Sequence, residues 1–336
     1  MRADGIFDVA IVGAGPAGLA TAIECQRLGL DAVVLEKGGL VDSIRRFPVH
    51  MVFFTTPELL EIGDIPLVCH REKPSRFEAL IYYRKVVQHF GLTPRLHTRV
   101  ERIERLHEGN RDLFRLRLVS EREGIPDPDP VRARKLVLAI GYFDNPNRLG
   151  VPGEELAKVT CRFRETHPYF GSRVAVIGGG NSAAETALEL FRAGVETTLI
   201  HRGESLSSHV KYWVKPDIEN RLKNGEVTGR LGSRVVEIRP ASLLVEDSAG
   251  RREEIANDFV LPLIGYRPDY RFLEAVGVRS AGPDRTPVTD PETFATEVPG
   301  LYLAGGIVAG LRTNRIFIEN GRFHGKAIVR HLATNF

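Results

Sequence analysis

The sequence predicts an α/β fold of two three-layer domains, one inserted into the other, and two observations support it. A strand, a glycine-rich turn and a helix follow one another twice, in VAIVGAGPAGLATAIE and in VAVIGGGNSAAETALEL. The second copy is flanked by two similar segments, KLVLAIGYF and DFVLPLIGYRPD, each typical of a buried strand ended by glycine. We expect the chain to cross between domains at these segments. Residues 1–147 and 266–336 would then form one discontinuous domain, and residues 148–265 the other.

The composition is that of an ordinary globular protein. The 336 residues suffice for two domains, with 43% hydrophobic and 26% charged residues. The formal net charge of +3 indicates no nucleic-acid partner, and no apolar run is long enough to span a membrane. The three cysteines are far apart and the histidines are scattered, so we expect no disulfide framework and no metal site. These features predict a cytoplasmic protein.

The first glycine loop has every part of a dinucleotide-binding turn of the Rossmann type. Gly13 allows the tight turn, Gly15 lets the backbone approach a diphosphate, and Gly18 lets the helix pack against the strand. The N-terminus of the helix supplies N–H donors to the phosphates. Glu36, 23 positions after Gly13 (36 − 13), is placed to accept hydrogen bonds from a ribose. Because its charge would repel a 2′-phosphate, this loop predicts a site for FAD or NAD.

The second loop repeats this fingerprint with a different charge. Gly178, Gly180 and Ala183 take the places of the three glycines. His201 and Arg202 stand where the first copy has Glu36, again 23 positions on (201 − 178). A cationic pair suits a 2′-phosphate, so this loop predicts NADPH rather than NADH.

Two dinucleotide sites of opposite charge in one chain indicate a relay. NADPH would give a hydride to a flavin, and the flavin would pass electrons to an acceptor.

Sequence segments throughout the chain are similar to a known family. GAGPAGL, LVLAIG, VIGGGNSAAE and TFATEVPGLYLAGG resemble the thioredoxin-reductase-like FAD/NAD(P)-binding flavoproteins. SIRRFPVHMVFFTTPELLEIGDIPL, KYWVKPDIENRLKNGEV and RIFIENGRFHGKAI resemble more narrowly the bacillithiol-disulfide reductase (YpdA-like) type. The resemblance implies FAD, NADPH, a small-molecule disulfide or other acceptor, a role in redox homeostasis, and a homo-oligomer, either a dimer or a tetramer.

The chain departs from its relatives at three positions. Cys161 aligns with the first cysteine of the thioredoxin-reductase pair, but Arg164 replaces the second, so a lone thiol there cannot close an internal disulfide. Gly306 replaces an aspartate that holds FAD in many members of the broader family; the narrower type also lacks this aspartate, so Gly306 supports the narrower resemblance. Ala17 occupies the place where the narrower family has its proposed attacking cysteine. The catalytic residue is therefore unknown, with Cys161 and Cys69 as weak candidates.

The candidate cofactor contacts come from the two loops and from the resemblance. Those for FAD are Gly13, Gly15, Pro16, Ala17, Gly18, Glu36, Lys37, Ser43, Phe54, Thr55, Val100, Ala139, Gly141, Gly305, Gly306, Arg315 and Ile316. Those for NADPH are Gly178, Gly180, Asn181, Ser182, Ala183, His201, Arg202, His209 and Lys211. Alternatively, Phe54 and Thr55 belong to a hydrophobic staple for a helix that starts at Pro57. His209 and Lys211 could instead belong to a solvated amphipathic face. His324, about three turns into the last helix, is expected to be structural.

Several functions remain open at this level. The leading prediction is NADPH-dependent reduction of a low-molecular-weight thiol disulfide. The alternative is a flavoprotein that lacks redox cysteines and reduces ferredoxin, flavodoxin or a quinone. A flavin monooxygenase is less favoured, because Cys161 and Phe163 replace the Phe and Gly of its Phe-x-Gly-x-x-x-His motif. A non-catalytic redox sensor is the last possibility.

Overall fold

A computed structural model describes residues 5–108, 111–127 and 129–334. The chain divides into two compact units: unit 1 holds the described residues up to Asn145 and from Tyr266 onwards, and unit 2 is Pro146–Gly265. The predicted α/β class with parallel sheets is confirmed. None of the helices in the described ranges is long and apolar enough to cross a bilayer.

The strands and helices follow one another in this order along the chain. The first part of unit 1 contains β1 (Phe7–Val12), α1 (Pro16–Arg27), β2 (Ala32–Leu35), α2 (Asp42–Arg45), a 3₁₀ turn (Pro57–Leu59), α3 (Arg76–Phe90), β3 (Thr98–Glu108), β4 (Arg111–Ser120) and β5 (Val131–Leu138). Unit 2 contains a 3₁₀ turn (His167–Tyr169), β6 (Arg173–Ile177), α4 (Asn181–Arg192), β7 (Glu196–His201), α5 (Lys215–Lys223), β8 (Thr228–Leu231), β9 (Ser233–Ile238), β10 (Ser242–Asp247), β11 (Arg252–Ala256) and β12 (Phe259–Pro262). The rest of unit 1 contains α6 (Tyr270–Ala275), β13 (Ser280–Ala281), β14 (Thr286–Pro287), β15 (Leu301–Leu303), a 3₁₀ turn (Gly305–Ala309), α7 (Ile318–Gly321) and α8 (His324–Ala333).

The sheet of unit 1 places the first glycine loop at the end of a central strand. Its order is β2-β1-β5-β4-β3, with β15 also paired to β5. The pairs β1–β2, β1–β5 and β5–β15 are parallel, whereas β3, β4 and β5 pair antiparallel. The carboxyl ends of β1, β5 and β15 therefore lie at one edge, where open α/β sheets bind ligands.

Alternate residues of β1 face two different hydrophobic cores. Val9 and Ile11 pack with residues of α1, α3 and α8, while Ala10 and Val12 pack with residues of β3, β4 and α6. This is the side-chain alternation of a strand covered on both faces, which explains why FDVAIV reads as a continuous apolar run after Asp8.

Unit 2 is built on a smaller parallel sheet of order β12-β6-β7-β8. Val174 and Val176 of β6 pack with residues of α4 and α5, whereas Ala175 and Ile177 pack with residues of β9 and β10. The strands β9, β10 and β11 form a separate antiparallel sheet. One face of the parallel sheet is therefore covered by helices and the other by a second sheet.

A buried carboxylate joins the parallel strands of unit 1 at the end opposite the glycine loop. The Asp8 side chain is 1% exposed and lies 3.1 Å from a guanidinium nitrogen of Arg134 on β5. Its other oxygen accepts the N–H of Asp31, just before β2, at 3.0 Å. Asp8 thus links β1 to both neighbouring strands.

Replacing Asp8 with alanine should lower the free energy of unfolding by about 3 kcal/mol, because Arg134 and the Asp31 N–H lose a buried charged partner. Urea denaturation of the purified protein measures this loss. The control is Glu274→Ala, which removes an exposed 3.0 Å ion pair with Arg285 and should cost less than about 1 kcal/mol. Equal losses in the two variants would contradict the role assigned to Asp8.

Candidate functional site

The glycines of the first loop are required for two different reasons. Gly13 has a φ of +109°, and a Cβ atom there would lie 2.5 Å from the carbonyl oxygen of Ala139. A Cβ on Gly18 would lie 1.9 Å from the carbonyl oxygen of Gly13. A Cβ on Gly15, by contrast, would meet no protein atom within 4 Å. Gly13 and Gly18 are therefore needed for the fold, while Gly15 keeps space open above the loop, as a bound diphosphate needs.

The N-terminus of α1 is available to an anion. Gly15 is its extended N-cap residue and makes no side-chain cap, and Pro16 occupies the first turn. The first N–H groups of this twelve-residue helix thus have no capping side chain, which leaves donors for a phosphate. Ala17 lies in this turn, and its carbonyl oxygen accepts the Thr21 hydroxyl at 2.8 Å.

Glu36 follows β2 and is turned back onto the loop. Its carboxylate accepts the N–H of Ala14 at 2.9 Å and that of Gly38 at 2.7 Å. Burial raises the pKa of this carboxyl, although the two N–H groups oppose the shift. Each carboxylate oxygen has a second lone pair, so Glu36 can still accept from a ribose hydroxyl. The loop, the helix and Glu36 together fit the diphosphate and ribose of FAD.

An ion-pair cluster fixes the segment after Glu36, and no sequence pattern indicated it. Lys37 lies 2.8 Å from Asp144, which also pairs with Arg46, and Arg46 lies 2.7 Å from Asp42. Burial would raise the pKa of the Asp144 carboxyl, but Lys37 and Arg46 together bring it below its usual range. Candidate residue Ser43 lies within this segment, on α2. Because Asp144 is 98 positions from Arg46, no local pattern points to it.

The candidates Ala139, Gly141, Gly305 and Gly306 gather at the same edge of the sheet. Ala139 follows β5 and contacts Gly13 and Gly18. Gly305 follows β15, and a Cβ there would lie 2.9 Å from the Cβ of Ala17. These contacts bring the loops after β1, β5 and β15 together. Gly141 has a φ of +61° and precedes Tyr142.

Tyr142 connects this edge to the segment that carries Arg315 and Ile316. Its ring leaves no room for a Cβ on Gly306, which would lie 2.6 Å away, and its hydroxyl donates to the Thr313 carbonyl at 3.1 Å. The Asn320 amide donates to the Arg315 carbonyl at 2.8 Å.

Phe54, Thr55 and Val100 have different surroundings. Thr55 is buried, whereas the Phe54 ring is partly exposed and meets Phe317 edge-on, with centroids 5.6 Å apart. The expected helix at Pro57 is only the 3₁₀ turn Pro57–Leu59. Val100 packs in a hydrophobic core of unit 1, so its side chain is part of that core.

His324 is not three turns into a helix, as expected, but is the first residue of α8. The predicted single helix is interrupted after α7, where Gly321 gives weak helical propensity.

The second glycine loop repeats the construction of the first in unit 2. Gly178 has a φ of +144°, and a Cβ there would lie 2.4 Å from the Leu263 carbonyl oxygen and 3.1 Å from the Cβ of Ala183. A Cβ on Gly180 would meet no protein atom within 4 Å. Gly180 is the N-cap of α4 and makes no side-chain cap. Ser182 is exposed in the first turn. This loop too fits a diphosphate.

His201 and Arg202 have different positions at the end of β7. A Cβ on Gly179 would lie 2.4 Å from the His201 ring, so the imidazole covers the middle of the loop. Burial, and then the charge of Arg202, lower the pKa of His201. Its ring is therefore neutral at pH 7. Arg202 is exposed and carries the positive charge at this strand end.

Asn181 ties the segment of His209 and Lys211 to the start of α4. Its amide donates to the His209 carbonyl at 3.1 Å, and its oxygen accepts the Lys211 N–H at 2.8 Å. The Lys211 ammonium pairs with Glu185 at 2.6 Å and lies 5.7 Å from the centroid of Trp213. His209 is exposed, whereas the charge of Lys211 is already paired within the protein.

None of the three cysteines has an activated thiol. Cys25 is fully buried, which raises its pKa to about 12. Desolvation, then the charge of Glu78, raises the pKa of Cys69, whose thiol donates to the Arg71 carbonyl at 2.8 Å. Burial raises the pKa of Cys161 as well. Reactive cysteines have lowered pKa values, so these environments do not favour thiolate chemistry.

Metal-ligating side chains do not converge in the part of the chain that the structure describes. Among those residues, no three or more His, Cys, Asp or Glu side chains are arranged to hold a metal ion.

Comparison with known proteins gives consistent matches over nearly the whole chain. A family described as pyridine nucleotide-disulphide oxidoreductase matches residues 10–305. Bacilliredoxin reductase Bdr of Bacillus subtilis (strain 168) is 39% identical over 323 residues, covering 96% of each chain. The structure of bacillithiol disulfide reductase Bdr (YpdA) from Bacillus cereus matches with a TM-score of 0.93 at 39% identity, over 98% of this chain and 99% of that one. The Staphylococcus aureus counterpart matches with a TM-score of 0.90 at 36% identity, over the same shares.

Because a methyl group at Gly15 would meet no protein atom, a substitution there can test FAD binding without disturbing the fold. Gly15→Ala should leave the melting temperature of the FAD-free protein unchanged but weaken FAD binding about tenfold or more, because the added methyl group occupies the approach to the loop. Flavin fluorescence titration measures the affinity. Gly180→Ala is the matched variant and should weaken only NADPH binding. FAD binding by Gly15→Ala as tight as in the parent chain would contradict the assignment.

Proposed function

Because the chain belongs to the pyridine nucleotide-disulphide oxidoreductase family, we propose that it uses NADPH to reduce the disulfide of a low-molecular-weight thiol of the bacillithiol type. The predicted enzyme class, a pyridine-nucleotide flavoprotein oxidoreductase, and its cofactors FAD and NADPH are confirmed. The substrate is proposed from the relatives, whose names specify bacillithiol disulfide and bacilliredoxin.

The structural observation that carries the NADPH and FAD part of the proposal is the presence of two glycine loops, one next to an acidic and one next to a basic side chain. In unit 1, Glu36 is turned onto the loop and disfavours a 2′-phosphate. In unit 2, the exposed Arg202 follows the equivalent strand and favours one. Gly15 and Gly180 leave the approach to each loop open. FAD and NADPH would therefore bind at separate, non-interchangeable sites.

The residues of the chain bind and orient, and the cofactors supply the redox chemistry. When bound, FAD would supply the redox chemistry, because a flavin can take up a hydride and release two electrons. The overall reaction converts one disulfide, NADPH and a proton into two thiols and NADP⁺. The N-termini of α1 and α4 provide N–H donors for the two diphosphates, and Glu36 orients the ribose of FAD.

We propose further that no cysteine of this chain attacks the substrate disulfide. Ala17 has no thiol at the place of the family's proposed nucleophile, and the pKa values of Cys25, Cys69 and Cys161 are raised. The electrons would then reach the disulfide from the flavin without a mixed disulfide with the protein.

The missing thiol is also the observation that favours a second candidate function. A protein that keeps the NADPH and FAD sites but has no redox cysteine could reduce an acceptor that needs no thiol exchange, namely ferredoxin, flavodoxin or a quinone. We propose a cytoplasmic location in either case, because the cysteines are few and dispersed. We also propose a homo-oligomer, which rests on the family resemblance over 96% of the chain.

Anaerobic reoxidation of the flavin decides between these functions. The holoprotein is reduced with one equivalent of NADPH, and the flavin absorbance is followed after adding bacillithiol disulfide, ferredoxin, flavodoxin or a quinone. We expect rapid reoxidation by bacillithiol disulfide. Reoxidation only by one of the other acceptors would establish the second function, and failure of NADPH to reduce the flavin would exclude both.

A variant with Cys25→Ala, Cys69→Ser and Cys161→Ser should retain disulfide reductase activity within about threefold, because none of these thiols is activated. Steady-state NADPH oxidation with bacillithiol disulfide measures it. Single variants of Cys69 and Cys161 locate any loss. A drop of about a hundredfold or more in one of them, with flavin reduction by NADPH unchanged, would identify that cysteine as the nucleophile.

Replacing Arg202 with glutamate should reverse the preference for NADPH. The new carboxylate repels the 2′-phosphate, so KM for NADPH should rise about 10- to 100-fold while KM for NADH changes little. Arg192→Glu, on the distant part of α4 and paired with Asp217, is the charge-matched control. An equal rise in KM for both nucleotides, or in both variants, would argue against recognition by Arg202.

A further inference from the structure

The turn after β15 contacts the first glycine loop through two consecutive glycines. Gly305 has a φ of +76°, and its Cα faces the Cβ of Ala17 so closely that a Cβ would lie 2.9 Å away. Gly306 offers no side chain to a cofactor. Glycine peptides are flexible, so other groups must fix the conformation of this turn if it is to bind FAD.

His324 is one such group. The residue is 5% exposed, and its Nδ1 accepts the N–H of Gly305 at 3.1 Å. The ring stacks on Phe294, with centroids 4.0 Å apart and planes at 16°. Burial lowers the pKa of His324 to about 4, which keeps the imidazole neutral at pH 7, as an accepting Nδ1 requires.

The helix that carries His324 is locked onto α1. A Cβ on Gly325 would lie 2.6 Å from the Cα of Thr21, so α8 and α1 approach at backbone distance there. The Thr21 hydroxyl donates to the Ala17 carbonyl at 2.8 Å. These contacts form a closed network. Ala17 is linked through Thr21 to Gly325 on α8, and the neighbouring His324 is linked through Gly305 back to Ala17.

We propose that His324 is a positioning residue for FAD. By accepting the Gly305 N–H, it holds the turn of Gly305 and Gly306 against the first glycine loop in the shape that binds the cofactor. It does so from behind the turn, through Gly305. The inference rests on the FAD site of the proposed function and is independent of the electron acceptor.

The test compares an apolar with an accepting replacement. His324→Leu leaves the buried Gly305 N–H without its acceptor and should weaken FAD binding about 10- to 100-fold. In His324→Asn the amide oxygen takes the place of Nδ1, so FAD affinity should stay within about threefold of the parent. The dissociation constant and the rate of FAD release from the holoprotein are measured by flavin fluorescence, and folding is checked by circular dichroism. His324→Ala replaces the leucine variant if that variant does not fold.

His331→Leu provides the matched control on the same helix. His331 contacts the Tyr302 hydroxyl at 3.0 Å and is not bonded to Gly305, so this change should leave FAD affinity unaltered. The proposal is overturned if His324→Leu binds FAD within about threefold of the parent, if His324→Asn loses as much affinity as His324→Leu, or if His331→Leu loses it equally. A failure of bacillithiol disulfide to reoxidise the flavin would refute the proposed substrate and leave this comparison unaffected.

Discussion

The close approach of backbone segments at the carboxyl ends of parallel strands is the constraint on which the binding site of unit 1 depends. Cβ atoms on Gly13, Gly18 and Gly305 would come within 2.5, 1.9 and 2.9 Å of neighbouring atoms. Only glycine avoids these overlaps, so the three contacts fix which loops meet. They also leave a glycine-rich surface with few side chains at the edge where we propose that FAD binds. Recognition then depends on the few side chains around it, such as Glu36.

Unit 2 uses the same backbone construction with different side chains. A Cβ on Gly178 would lie 2.4 Å from the Leu263 carbonyl oxygen, which repeats the contact between Gly13 and Ala139. Leu263 follows β12 as Ala139 follows β5. At the ribose end, however, Glu36 folds back to accept two N–H groups, whereas His201 covers Gly179 and leaves Arg202 exposed. The same backbone construction thus presents two charge environments, because one or two residues at the end of the second strand determine the charge at the ribose end of the loop.

The parts of this structure that sequence could predict are those set by local patterns. The glycine loops, their strands and Glu36 follow from spacing and hydrophobic runs, because each feature lies within one βαβ unit. The partners of Asp144, Asn181 and His324 could not be predicted, because they are distant along the chain or lie in irregular segments, where periodicity carries no information. The break before α8 leaves no sequence signal for a related reason: a two-residue interruption does not disturb the apolar pattern of the segment.

Position 17 connects cofactor binding with acceptor chemistry. The Cβ of Ala17 is the atom that the Gly305 turn packs against, and the Ala17 carbonyl accepts from Thr21 on α1. A cysteine there would place its sulfur beside the same turn. A thiol at this position would therefore contact the loop that we propose binds FAD. With alanine the contact is kept and the thiol is lost. The remaining cysteines have raised pKa values, and none lies in a glycine loop. Under the proposed mechanism, in which no protein thiol exchanges with the substrate, the choice of acceptor depends on access to the flavin and on the surrounding charge.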